Sequence, residues 1–195
     1  MRLRQLVRFF AVVALPAITA LISPAIGIAQ TDPRCSQSGS LVQFRRTELT
    51  DKMRIDGGIE LDDSIPQSNE GTQLMQLAVT PRCINSRLLV EALVYVSEVG
   101  DHSDNFIVAL FRDHGVNAIA AGAGNFYGSL PSQSITPVPL SVFVPSRSLN
   151  RTTFTLRAGA ENDAIDVNAG VSRGVQQRGL GGRIRSYLQV TEIVP

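Results

Sequence analysis

Residues 87–99 read RLLVEALVYVSEV, and their alternation decides the fold class. Leu88, Val90, Ala92, Val94 and Val96 fall on one side of an extended chain, with Leu89, Glu91, Leu93, Tyr95 and Ser97 on the other. A helical period leaves Glu91 and Ser97 without a consistent face, whereas the β-branched content suits a pleated strand. Shorter segments of the same kind lie at 40–46, 73–80, 105–112, 116–121, 139–144, 152–158, 165–168 and 186–194. Turn residues separate them: Asp113-His114-Gly115, Ser129-Leu130-Pro131, the run from Pro145 to Ser148, and Glu161-Asn162-Asp163. No stretch sustains an amphipathic helix beyond a turn or two. The chain is therefore expected to be all-β, an antiparallel two-sheet sandwich or jelly roll of about 8–10 strands.

The first 29 residues have a different character. Arg2, Arg4 and Arg8 precede an apolar run from Phe9 to Leu21, and Gly27-Ile28-Ala29 supplies a small-residue cleavage site. That order is the pattern of a secretory signal peptide. An uncleaved anchor is the rival, since 9–29 is about long enough to span a bilayer. Pro16 and Pro24 disfavour a continuous helix there, and no basic stop-transfer cluster follows. The expected organisation is a signal at 1–29 cleaved near Ala29, a polar leader at 30–38, and one domain at 39–195. Such a chain is secreted or periplasmic, with no membrane span once the signal is gone.

The only charged residues of the signal are Arg2, Arg4 and Arg8, so its loss moves the formal charge from +1 to about −2. No basic patch remains to hold a nucleic acid. Cys35 and Cys83 are the only cysteines. In an exported chain an even count favours a disulfide over two separate thiols. Closing that loop would stabilise the fold by up to roughly 4 kcal/mol in the chain-entropy model.

Several segments taken in order carry a resemblance. They are Ile59 to Gly71 (IELDDSIPQSNEG), Leu77 to Pro81 (LAVTP), Asn85 to Val90 (NSRLLV), Val108 to Asp113 (VALFRD) and Asn117 to Ala120 (NAIA). Val167-Asn168, the Gly181-Gly182 pair and Ser186 to Ile193 (SYLQVTEI) complete the set. The order resembles an uncharacterised β-domain of phage tail-fibre proteins and bacterial reading frames. The resemblance implies the jelly roll of tumour necrosis factor and complement-type heads, as a non-enzymatic module that commonly forms a homotrimer. A signal peptide sets this chain apart from tail proteins, which are assembled in the cytoplasm.

Local chemistry is sparse. Asp101, Asp104 and Asn105 lie between two strands and are the candidate ligands for calcium or a glycan, yet the spacing of an EF-hand is absent. Arg183 and Arg185 form a modest basic cluster with Arg173 and Arg178, suited to a phosphate or acidic glycan on a cell surface. No nucleophile elbow occurs, and His102 and His114 merely adjoin Asp101 and Asp113. Gly179 to Gly182 lacks the spacing of a phosphate cradle and is expected to make a bend. No enzyme and no cofactor is expected. A carbohydrate-binding module and a secreted hydrolase with an unrecognised site are the alternatives to an interaction module, although the chain has no tryptophan for sugar stacking. Leu89, Leu93 and Tyr95 make the second face of the longest strand unusually apolar for a solvated sheet. The exported protein is expected to show an intact mass beginning near Gln30 and lacking two hydrogens, and a full-length reduced chain would contradict both readings.

Overall fold

The computed structural model describes residues 32–98, 104–126, 135–162, 164–172 and 175–195. The expected signal, the start of the leader, Asp101, His102, the Ser129-to-Pro131 turn, Asp163 and Arg173 lie outside the described residues. The strands are β1 (Leu41–Leu49), β2 (Met53–Ile55), β3 (Thr72–Val79), β4 (Arg87–Glu98), β5 (Asp104–Arg112) and β6 (Ala120–Phe126). They continue with β7 (Ile135–Pro145), β8 (Thr152–Ala160), β9 (Ile165–Val167), β10 (Ala169–Ser172), β11 (Val175–Arg178) and β12 (Ser186–Ile193). Short 3-10 turns occupy Pro33–Ser36 and Gly179–Gly182.

Pairing runs from the outside of the chain inward. β1 pairs with β12, β3 with β8, β4 with β7 and β5 with β6, all antiparallel. This is one long antiparallel ribbon. Further pairing of β12 with β4, and of β8 with β5, rolls it into two sheets. The first sheet is ordered β1–β12–β4–β7 and the second β3–β8–β5–β6. A ribbon rolled in this way is a jelly roll. β9 pairs with β2 and with the end of β4, so these short strands prolong the lanes of β12 and β1. β10 and β11 make a separate hairpin.

The alternation of β4 is reproduced: Leu88, Val90, Ala92, Val94 and Val96 are all buried between the sheets. Phe106, Leu110, Phe154, Leu156, Leu188 and Val190 meet them from neighbouring strands. Each large side chain so buried contributes about 1.5–3 kcal/mol of transfer free energy. The segment expected as a strand at 116–121 behaves differently. Val116 is exposed, and the Ala118 amide donates to the Pro66 carbonyl of the long connection, so pairing with β5 as a strand begins only at Ala120. β6 reads AAGAGNF, without β-branched residues, because small side chains fit there. The Phe106 ring occupies the space where a Cβ on Gly124 would stand, and packs 4.6 Å from the Phe126 ring. The Gly179–Gly182 bend is a turn in which Leu180 and Gly181 have φ of 48° and 64°.

Two polar residues hold the ends of the first sheet. At one end Glu192 is fully buried. Its carboxylate accepts from the Arg82 and Cys83 amides, the Ser86 hydroxyl (2.7 Å) and the Gln43 side chain (2.6 Å). Cys83 is bonded to Cys35, with Cα atoms 5.3 Å apart. Beside that bond the Arg34 guanidinium holds the Asp32 carboxyl down to about 2. At the other end Asn168, with φ of 58°, is almost fully buried. Its amide group donates to the Leu49 carbonyl (2.7 Å), and its side-chain oxygen accepts from the Ser186 hydroxyl (2.7 Å) and amide. Its backbone N–H donates to Tyr95. One side chain thus fastens the lane changes from β1 to β2 and from β9 to β12.

Glu192→Ala is expected to lower stability by about 3 kcal/mol or more, because several buried donors lose their acceptor together. Urea unfolding with the disulfide intact measures it. A change under about 0.5 kcal/mol, the range of an ordinary surface substitution, would contradict this account.

Candidate interaction face

The two sheets treat their outer faces differently. Behind the second sheet, Ile107, Ala109 and Phe111 of β5 are buried, and Ile59 and Ala118 pack over them from the long connections. Gly159 permits that approach, since a Cβ there would collide with the Gly57 carbonyl and the Ile59 amide. Arg157 fastens the cover by donating to the Glu70 and Gly71 carbonyls. This face is closed by the chain itself.

The outer face of the first sheet has no comparable lid among the described residues. Residues opposite one another across a sheet share a face, so the register defines its rows. The first row is Phe44–Thr191–Leu89–Phe143, the second Arg46–Gln189–Glu91–Ser141, and the third Glu48–Tyr187–Leu93–Pro139. Tyr95 and Pro137 follow. Phe44 is 49% exposed and Phe143 56%. Leu89, Leu93, Tyr95 and Tyr187 are half-buried. The face therefore carries aromatic and aliphatic groups on both sides of one polar row.

That polar row is internally connected. Arg46 donates to Glu48 (2.9 Å) and to the Gln189 side-chain oxygen (3.1 Å), and Gln189 donates to Glu91 (2.9 Å). The Arg46 guanidinium also lies 3.9 Å above the centre of the Tyr187 ring. Both signs of charge are present on a largely apolar surface. At the edge of this face β7 carries Pro137, Pro139 and Pro145 at odd-numbered positions. Proline has no N–H to offer a further strand, so this edge does not invite sheet extension. Contact with another molecule is left to the face.

The open region ends below Tyr95. The next row is Arg54–Asp166–Ser97, in which Asp166 and Ser97 are each 2% exposed. One carboxylate oxygen of Asp166 has no hydrogen-bond partner among the described residues. Burial pushes its carboxyl above the ordinary carboxylate value, with Lys52 and Arg54 partly opposing the shift.

The residues singled out from the sequence fall elsewhere. Asp104 is buried, and its carboxylate accepts from the Asn105 amide and from the Asn162 amide and side chain. Asn105 donates to Glu161. Asp101 lies outside the described residues. Arg185 meets Glu48 at 3.3 Å, and Arg178 lies 3.8 Å from Asp51. Arg183 follows the Gly179–Gly182 turn and closes it through its amide. Asp113 accepts from Thr152 and Thr153, which holds the turn after β5 rather than orienting His114. Among the described residues no group of three or more His, Cys, Asp or Glu gathers as a metal site. No helix among them is long and apolar enough to cross a membrane.

Sequence reasoning found Leu89, Leu93 and Tyr95 but missed Phe44, Phe143 and Tyr187. Alternation in 40–46 and 139–144 was the available signal, but only the register places these residues in common rows.

No family model and no curated protein matches the sequence. Among solved structures the chain is similar to the Eiger TNF of S. frugiperda, at 11% identity and a TM-score of 0.41 over 77% of this chain and 92% of that one. It is also similar to the VP2 subviral particle of infectious bursal disease virus, at 12% identity and a TM-score of 0.34. That match covers 80% of this chain and 39% of the viral one. At such scores the likeness adds nothing to the strand order described above.

Asp166 provides a pH test of this region. Above the ordinary value of 3.8 the unfolded chain ionises before the folded one, so stability declines as pH rises until the folded carboxyl also ionises. Asp166→Asn is expected to raise the melting temperature at pH 7 more than at pH 3.5. A larger loss at pH 7 than at pH 3.5 would reverse the assignment.

Proposed function

We propose that this protein is an exported, non-enzymatic interaction module whose copies associate through the open face of the first sheet into a homotrimer. The observation that carries the reading is the rows containing Phe44, Leu89, Phe143, Leu93 and Tyr187, left uncovered by the described residues while the opposite outer face is covered. An apolar face of this kind on a folded domain marks a contact site.

A second copy suits the face for two reasons. A threefold contact joins one part of a surface to a different part on the next copy, and Arg46 with Glu48 and Glu91 offers both charge signs for such a pairing. The prolines of β7 direct association to the face instead of to an edge. Three copies is the number that the tail-fibre and tumour-necrosis-factor resemblance implies. Export is supported by the Cys35–Cys83 bond, since structural disulfides belong to oxidising compartments. A non-enzymatic role fits carboxylates such as Asp104, Asp113 and Glu192, which are engaged in holding turns and strand ends.

Light scattering on the purified mature chain is expected to give about 54 kDa, three copies of roughly 18 kDa each. Phe143→Asp, at a half-exposed position, is expected to yield a folded species near 18 kDa. A wild-type protein that remains monomeric at 100 μM would sink the trimer.

A further inference from the structure

A second surface lies at the opposite side of the first sheet, where the sandwich opens between β1 and β3. A groove of about 630 Å³ runs there, lined in part by Arg45, Leu77, Ala78 and Arg82, the last of which lies 3.7 Å from Asp32. Arg45 is anomalous. It stands opposite Val190, which is fully buried, and therefore on the core-facing side of β1, yet it is exposed. A cation at such a position faces the groove.

The outer strands of the two sheets differ in their protection. β7 has its prolines, and β1 carries Arg45, Arg46 and Glu48. β6 lies against β7, where a Cβ on Gly122 would meet Val138 and Leu140. β3 reads TQLMQLAV, with no charge and no proline, and among the described residues it pairs only with β8. Its irregularity is confined to Gln73–Met75, so the portion along the groove is regular strand. An unprotected edge presents unpaired backbone donors and acceptors.

We infer that the β3 edge receives an extended acidic peptide segment of a partner protein by strand addition. The backbone of the segment pairs with β3, its carboxylates meet Arg45 on the groove side, and its small apolar side chains fall on the Ala78 side of the edge. Strand addition draws affinity from main-chain hydrogen bonds and specificity from alternate side chains. Arginine supplies the two-pronged donors that carboxylates accept. Self-pairing of β3 between two copies is disfavoured, because it would bring two sets of these arginines together. Only an anionic strand satisfies both the edge and the charge.

The test uses the mature, disulfide-intact protein and fluorescence anisotropy with three labelled peptides. These are an alternating Glu–Val heptapeptide, its counterpart with Lys for Glu, and the Glu–Val peptide with alternate amides N-methylated. Saturable binding of the first alone is expected, weakening as salt is added. Arg45→Glu is expected to weaken it about tenfold. Arg45 is not in the rows of the open face, so the variant should keep the oligomeric mass of the parent and its circular dichroism. Absence of saturable binding would overturn the inference, as would equal binding of the Lys peptide. Equal binding of the N-methylated peptide would also overturn it, because charge alone would then suffice.

Discussion

The carboxylate of Glu192 is the constraint on which this end of the jelly roll depends. A buried anion is tolerated only when hydrogen-bond donors replace its hydration. Here the donors come from β1, from the connection before β4, and from the residue that forms the disulfide. The chain continues outward from them. Ser86 also donates to the Cys83 carbonyl, and Ser146 donates to Cys83 and Ile84, drawing in the turn between β7 and β8. Connections that would otherwise be surface loops are thus referred to one point on the last strand. The disulfide then locks a geometry that the carboxylate has organised.

What could be read from the sequence followed from repetition. The period of two in 87–99 is a local property, and it identified both the buried face of β4 and the apolar residues on its other side. Glu192 and Asn168 have no such signature. Alternation places Glu192 on the same core-facing side of β12 as Leu188 and Val190, and nothing local says that β1 and the connection before β4 will both supply donors to it. Asn168 likewise resembles a turn residue, while its left-handed backbone and full hydrogen-bond complement exist only when β1, β4 and β12 are in place. The strand at 120–126 was displaced in the reading because its glycines are set by the Phe106 ring across the sheet. Long-range packing left no local trace there.

The candidate interaction residues divide in the same way. Leu89, Leu93 and Tyr95 were visible on one strand, whereas Phe44, Tyr187 and Phe143 join them only through register. The acidic residues that drew attention by type, such as Asp104 and Asp113, are occupied in fastening turns. Residue type alone favoured chemistry; geometry favours contact. The two outer faces make this physical, since the long connections that bury Phe111 behind one sheet have no equivalent among the described residues over Phe44 and Phe143.

The outside-in pairing of the ribbon also has a bearing on time. β12 lies between β1 and β4, so β1 has no neighbour in its sheet until the chain's last strand arrives. Contacts between residues as distant in sequence as Leu41 and Ile193 form slowly, because the intervening chain must be brought to closure first. A chain made from its N-terminus therefore leaves its first sheet incomplete until β12 is available. The eight residues of β12, Ser186–Ile193, act as the closing strand that gives β1 its partner and completes the first sheet.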